Sequence, residues 1–157
     1  MIIRKGTKED LKAAFELIME LAIYEKAPEQ VENTIERMAE DGFGENSIFE
    51  FFVSEEKNGF ISGMALYYYR YSTWKGRSLY LEDLVVRESE RGRGLGKLLL
   101  DAIVLEARNK DCRQVNWQVL DWNEPAIGFY KKLGADLDGE WINCRLNHQQ
   151  ILDYKAS

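Results

Sequence analysis

The residues from Arg91 to Lys97 carry the strongest chemical signature of the sequence, because glycines alternate with basic residues between a predicted strand and a predicted helix. Glycines let the backbone approach a ligand and let several N–H groups point one way, and a helix N-terminus behind them adds positive potential. A tight turn with solvated charges is the alternative. The pattern predicts a phosphate site formed by Arg91, Gly92, Arg93, Gly94, Leu95, Gly96 and Lys97.

Two common phosphate loops do not fit this spacing. A P-loop needs Ser or Thr after its lysine to hold magnesium, whereas Leu98 follows Lys97. A dinucleotide-binding fingerprint needs its third glycine one position later than Gly96. The spacing therefore disfavours both of these nucleotide-binding motifs.

A second segment with chemical potential lies from Trp122 to Ala135. Asn123 suits a helix N-cap, Pro125 suits the first helical turn, and Gly134 suits the residue that ends the helix. Tyr130 lies on this predicted helix. A phenol stays protonated at neutral pH, yet it can supply a proton to a thiolate as the thiolate forms. Packing of the ring in the core is the alternative role for Tyr130.

These two segments resemble the pyrophosphate loop and the later motif of the GNAT superfamily of N-acetyltransferases, through Arg91-x-x-Gly94-x-Gly96 and through Trp122 to Ala135. The resemblance implies that acetyl-coenzyme A is the cosubstrate and that Tyr130 protonates its departing thiolate. Besides the glycine loop, the residues that it implies for coenzyme binding are Leu84, Val85, Val86, Asn123, Pro125, Ala126 and Tyr130.

Two adjacent acids, Glu82 and Asp83, precede the strand end that leads into the glycine loop. Acetyl transfer needs a neutral amine, whereas aliphatic ammonium groups are charged near pH 7, so the site must bind a cation and accept its proton. Strand alternation predicts that Glu82 and Asp83 point to opposite faces, with one of them toward the ligand. An ordinary surface carboxylate is the alternative for either residue.

Further matches narrow the resemblance to the diamine and polyamine N-acetyltransferases, a branch that includes the spermidine/spermine and thialysine enzymes. The matching pieces are Glu20–Ala22, Tyr24-Glu25, Glu40–Gly44, Tyr67-Tyr68, Trp74 with Gly76, and Leu79–Asp83. This resemblance implies that Tyr24, Glu25 and Glu82 face the amine and that Glu82 accepts its proton. Asp83 and Glu140 are further candidates for amine binding, and Asp136 and Asp138 are alternatives to Glu140.

The predicted reaction is direct attack of a small di- or polyamine, or of a lysine-like amino acid, on acetyl-coenzyme A in a ternary complex. Neither Cys112 nor Cys144 lies in a motif that suggests an acyl-enzyme. One alternative is a peptide or protein amine acetyltransferase on the same fold. The other is a coenzyme-binding module without catalysis. The family resemblance also implies a homodimer.

The order of the predicted helices and strands indicates a mixed α/β domain over residues 1–157, in which antiparallel N-terminal strands precede a β-α-β-α-β half. The resemblance implies that this domain has the GNAT fold. We expect helices that begin after Thr7 and after Asn33 or Thr34, the second ending before Gly42. The predicted strands are Ile2–Arg4, Phe49–Ser54, Phe60–Tyr71, Leu79–Val86, Val115–Leu120 and Trp141–Leu146. Helices are expected after the glycine loop, over Pro125–Leu133, and over a short stretch after Asn147.

The composition excludes several other classes of protein. The 21 basic and 27 acidic residues give a net charge of −6, which disfavours nucleic acid as a partner. The sequence has no apolar run long enough for a membrane span and no secretory signal pattern, so we expect a cytoplasmic protein that does not enter a membrane. The single His148 has no neighbouring Cys or His, and we expect no metal.

Overall fold

The computed structural model describes residues 1–156, which divide into two compact units. The first unit spans Met1–Gln118, and the second begins at Val119. The helices are α1 (Leu11–Tyr24), α2 (Ile35–Phe43), α3 (Leu95–Asn109), α4 (Glu124–Lys132) and α5 (His148–Asp153). The strands are β1 (Ile2–Lys5), β2 (Glu50–Glu55), β3 (Ile61–Ser72), β4 (Gly76–Val86) and β5 (Gln114–Asn116).

The first unit contains one mixed sheet with the strand order β1-β2-β3-β4-β5. The pairs β1·β2, β2·β3 and β3·β4 are antiparallel, whereas β5 pairs with β4 in parallel. Two antiparallel neighbours need only a turn, while the parallel pair needs the crossover that α3 provides. The predicted mixed α/β class is confirmed.

Two predicted strands differ from the structure. β5 ends at Asn116, so the strand predicted over Val115–Leu120 is too long. The strand predicted over Trp141–Leu146 was wrong, because these residues form no regular element in the structure. A strand needs a paired neighbour for its backbone groups, and no other strand among residues 1–156 pairs with this segment.

The helix predictions hold with shifted ends. The Thr34 side chain accepts a hydrogen bond from the backbone of Arg37 at 3.1 Å, which confirms Thr34 as the cap of α2. That helix runs through Gly42 instead of ending before it. The short C-terminal helix is present as α5.

The sheet is covered on both faces within the first unit. Leu11, Ala14 and Leu17 of α1 pack with Met38 of α2 against one face, where helical spacing places an apolar stripe. Leu99 and Ile103 of α3 are fully buried, and α3 contacts β2, β3 and β4. The two layers fix β4 from both sides, and β4 carries Glu82 and Asp83 and ends five residues before the glycine loop.

Candidate active site

The glycine loop has the backbone conformation that its composition predicted. Gly92 and Gly94 both have φ of +79°, and Gly94 is the N-cap of α3. A Cβ built on either residue would meet no atom within 4 Å. The loop therefore presents open backbone beside the N-terminus of a 15-residue helix, which is an arrangement suited to phosphate oxygens.

The basic side chains of this loop are less available than the sequence suggested. Arg93 forms ion pairs with Glu90 and, at 3.0 Å, with Glu56. Lys97 pairs with Asp101 at 2.5 Å, one helical turn away. A phosphate would have to compete with these carboxylates for Arg93 and Lys97. The positive potential available to a phosphate therefore comes from the backbone N–H groups and the helix N-terminus.

Arg91 joins the loop to the end of α1. Its Nε donates to the carbonyl oxygen of Val86 at 3.3 Å, and its guanidinium lies 5.1 Å from the centre of the Tyr24 ring. A guanidinium at this distance from an aromatic face forms a cation–π contact. The structure thus brings together a predicted coenzyme-binding residue and a predicted substrate-binding residue.

The end of β4 presents a free strand edge on the side away from β3. β5 pairs with β4 only over Ser78–Tyr80, whereas β3 pairs with β4 as far as Val86. In the described part of the chain, no strand lies beyond β4 at Leu84, Val85 and Val86 on the β5 side. An extended ligand with amide groups, such as a pantetheine arm, fits an edge of this kind.

A β-bulge changes the direction of the two acids on β4. Tyr67 of β3 is opposite Leu81, but the next residue back, Leu66, is opposite Asp83, so the register skips Glu82. One extra residue breaks the alternation of a strand. Glu82 and Asp83 therefore share a face, and the prediction of opposite faces was wrong.

The electrostatics of this face are dominated by carboxylates held near one another. Burial, with the negative charges of Glu82 and Glu25, raises the pKa of Asp83 from its ordinary 3.8 to about 7. Burial also raises the pKa of Glu25. In both residues the surroundings disfavour the charged carboxylate. A cation bound among these groups would stabilise the charged form and lower both pKa values. A carboxyl group with a pKa near 7 is suited to accept a proton at neutral pH.

Two tyrosines that were not among the predicted site residues lie beside these acids. The Tyr68 and Tyr80 rings are 5.3 Å apart, and the two residues are opposite each other in the register. Burial and the Glu82 carboxylate raise the pKa of Tyr68 to about 12, and the same two causes raise that of Tyr80. Aromatic faces next to carboxylates attract ammonium groups. The run of aromatic residues before the acids was visible in the sequence, but only the register shows which rings face them.

The neighbouring Tyr67 has a different role. It is fully buried on the opposite face, where its hydroxyl donates to Glu50 and its ring stacks on Phe52 with the centres 5.7 Å apart. Tyr67 and Tyr68 form one of the matching segments of the sequence, but the pleat places their side chains on opposite faces of the sheet. Of the two residues, only Tyr68 lies with the acids.

The second unit carries the other group of predicted site residues. The Asn123 side chain accepts from the backbone of Ala126 at 3.3 Å, and Pro125 lies in the first turn, so the predicted start of α4 is confirmed. Gly134 ends the helix with φ of +79°. Tyr130 of α4 is 8% exposed, and burial raises the pKa of its phenol. Glu140 lies in an exposed irregular segment, where its backbone N–H donates to Asp138 at 2.9 Å.

Comparison with known proteins decides the family of this chain. A sequence profile described as the Acetyltransferase (GNAT) family matches residues 11–135. The chain belongs to the GNAT acetyltransferase family. The matched range includes both the glycine loop and Tyr130, and it ends after Gly134.

Individual relatives and structures agree with this assignment. The GNAT chain is 40% identical over 159 residues to a Mus musculus protein named thialysine N-epsilon-acetyltransferase, covering 95% of this chain and 94% of that one. It is 33% identical to a Homo sapiens protein named spermidine/spermine N(1)-acetyltransferase-like protein 1, covering 96% of this chain and 23% of that longer protein. An integron cassette protein of V. cholerae has the same fold, with a TM-score of 0.78, 24% identity and coverage of 96% and 94%.

Among residues 1–156, no group of three or more His, Cys, Asp or Glu side chains is arranged to hold a metal ion. Over the same residues, none of the helices has the length and apolar character needed to cross a bilayer.

Proposed function

We propose that this GNAT acetyltransferase uses acetyl-coenzyme A to acetylate a primary amine of a small di- or polyamine or of a lysine-like amino acid. The observation that carries the proposal is the shared face of Glu82 and Asp83, with Glu25 coupled to Asp83 and two tyrosine rings beside them. Carboxylates and aromatic faces together are the groups that hold ammonium. The names of the mouse and human relatives, which specify thialysine and spermidine or spermine, support the same substrate class.

In this proposal the acids have separate tasks. Glu82, which is exposed, contacts the incoming ammonium group, and Tyr24 and Glu25 at the end of α1 hold the rest of the amine. The proton of the ammonium passes to the Glu82–Asp83 pair, in which Asp83 has the pKa close to 7. The two carboxyl groups share one face of the sheet, so in this proposal the pair is the unit that accepts the proton.

Coenzyme binding is assigned to the glycine loop, to the free edge of Leu84–Val86, and to the start of α4 at Asn123, Pro125 and Ala126. The fit rests on the open backbone at Gly92 and Gly94 and on the limited pairing of β4 with β5. Acetyl-coenzyme A supplies the activated acetyl group. The neutral amine nitrogen attacks the thioester carbon directly in a ternary complex, the C–S bond breaks, and Tyr130 gives its phenolic proton to the leaving sulfur. The proton that the nitrogen loses as it becomes an amide restores the Tyr130 phenol. A phenol with a raised pKa holds that proton at neutral pH.

One set of assays tests the proposal. Release of coenzyme A thiol would be measured with spermidine, spermine, putrescine, lysine, thialysine and short lysine peptides as acceptors. We expect turnover with at least one free amine and a much lower kcat/KM with peptides. Turnover confined to peptides would select a peptide acetyltransferase, and binding of acetyl-coenzyme A without turnover of any amine would select a module without catalysis. A homodimer, which the family resemblance implies, and a cytoplasmic location remain predictions.

A further inference from the structure

A strongly basic cavity lies in the first unit, between the β3–β4 hairpin and the loop that follows α3. Its volume is about 620 Å³. One acidic residue, Asp111, and five basic residues line it, and the basic residues are Arg70, Lys75, Arg77, Lys110 and Arg113. The Arg70 guanidinium itself lies 5.4 Å from the centre of the Tyr80 ring. The chain as a whole has a net charge of −6, so this concentration of positive charge runs against the composition.

One backbone hydrogen bond and one from a side chain hold the two walls of this basic cavity together. The Arg113 N–H donates to the carbonyl oxygen of Arg77 at 2.8 Å, and Arg77 Nη1 donates to the carbonyl oxygen of Lys110 at 3.3 Å. Asp111 lies 3.5 Å from the Arg113 guanidinium, and both of these side chains are exposed. Cations gathered on a concave surface repel one another and create a positive local potential. An anionic ligand would be attracted by this potential and would reduce the repulsion.

The basic cavity is separate from the glycine loop. The loop precedes the first residue of α3, whereas Lys110 follows its last residue. A helix of 15 residues is about 22 Å long. The two regions of positive potential therefore lie at opposite ends of α3, too far apart for one phosphate group to contact both.

Aromatic rings indicate what kind of anion fits. Tyr69 and Tyr71 also line the cavity, and the Tyr71 side chain is 76% exposed. Stacking on an exposed ring is a common way to hold a nucleobase, and a cavity of a few hundred Å³ is in the range that encloses a small molecule. We propose that the basic cavity binds a nucleotide polyphosphate, with its phosphates among Lys75, Lys110 and Arg113 and its base against Tyr71. This site does not depend on the proposed acetyl transfer.

Isothermal titration calorimetry of the purified full chain tests the proposal. ATP, inorganic tripolyphosphate and a short single-stranded oligouridylate would be titrated in EDTA without magnesium, at low and high salt, with and without excess acetyl-coenzyme A. We expect ATP to bind more tightly than tripolyphosphate, because stacking adds to the phosphate contacts. We also expect both affinities to fall with salt, because screening weakens exposed charge contacts, and acetyl-coenzyme A not to displace ATP.

A pair of charge-reversal variants provides the decisive comparison. Lys75→Glu with Lys110→Glu changes two exposed residues of the cavity, and Lys12→Glu with Lys57→Glu makes the same change of net charge on exposed residues elsewhere. We expect the cavity variant to weaken ATP binding by about tenfold or more, and the control variant to change it by less than about threefold. Circular dichroism of both variants would show whether they retain the fold.

Four results would overturn the proposal. They are no ATP binding by the wild-type protein, equal losses in the two variants, displacement of ATP by acetyl-coenzyme A, and a tripolyphosphate affinity equal to that of ATP. Tighter binding of oligouridylate than of ATP would replace the nucleotide with RNA as the ligand. Because the readout is binding of ATP, the result is independent of whether any amine is acetylated.

Discussion

The carboxylates of Glu82 and Asp83 lie on the same face of the sheet, because the register between β3 and β4 skips Glu82. The bulge places two acidic groups where a regular strand would place one. The charge of Glu82 then contributes to the raised pKa of Asp83, after the larger effect of burial. The pair is the structural basis for both cation binding and proton transfer in the proposed reaction.

Replacing Glu82 by Gln should alter the pH dependence as well as the rate. Because the negative charge of Glu82 raises the pKa of Asp83, its removal lowers that pKa, and the acid limb of the kcat profile should move to lower pH. Loss of the ammonium contact should also reduce kcat/KM for the amine by about tenfold or more. Glu88→Gln, another exposed acid of the first unit, is the control and should change neither quantity. An acid limb at the wild-type pH would show that Glu82 does not influence the proton acceptor.

Replacing Asp83 by Asn should increase stability at neutral and alkaline pH while it reduces turnover. The native pKa of about 7 lies above the ordinary 3.8, so the folded state holds the proton more tightly than the unfolded chain does. Asp83 therefore destabilises the fold progressively as the pH rises from about 4 to about 7, and the effect is constant above that range.

Thermal unfolding at several pH values measures this effect. The gain in Tm of Asp83→Asn over the wild type should grow between acidic and neutral pH, whereas Asp136→Asn in an exposed segment should show no such trend. A gain that does not depend on pH would mean that Asp83 titrates at an ordinary pKa.

Replacing Tyr130 by Phe should reduce kcat by about 100-fold, which is the scale of general acid catalysis. The change removes only the hydroxyl from a ring that is 8% exposed and 5.3 Å from the Phe129 ring, so packing should be retained. Steady-state kinetics and direct titration with coenzyme A would separate rate from affinity, and we expect the affinity to stay within about threefold. The control is Tyr154→Phe, at an exposed tyrosine of the same unit. Wild-type turnover in Tyr130→Phe would remove the phenol from the mechanism.

Replacing Gly94 by Ala should weaken coenzyme binding by more than the loss of stability accounts for. The φ of +79° makes an Ala costly there by about 1 kcal/mol, and the added methyl group would project into the open space over the loop. Gly59→Ala has nearly the same backbone penalty, with φ of +82°, in the turn between β2 and β3. We expect both variants to lose similar stability, and only Gly94→Ala to raise the Kd for acetyl-coenzyme A. Equal affinities would show that the loop does not approach the coenzyme.

Local sequence signals determined most of the elements and the two halves of the candidate site. The caps at Thr34 and Asn123 and the helix end at Gly134 depend on side chains and φ values a few residues apart, and all three are confirmed. The glycine loop is equally local, since its conformation follows from Gly92 and Gly94. The strand predicted over Trp141–Leu146 shows the limit of such signals, because pairing requires a neighbour that a local pattern does not reveal.

Only the tertiary structure decided how the charged side chains are used. The sequence identified Glu82, Asp83 and Arg93 as candidates, but a bulge turned the two acids to one face, and Glu56 of a distant segment engaged Arg93. The basic cavity likewise combines a hairpin with a loop more than 30 residues along the chain, as the contact from Arg77 to Lys110 shows. Residue type and helix or strand period are properties of short stretches, whereas register, ion pairing and burial depend on which distant stretches meet.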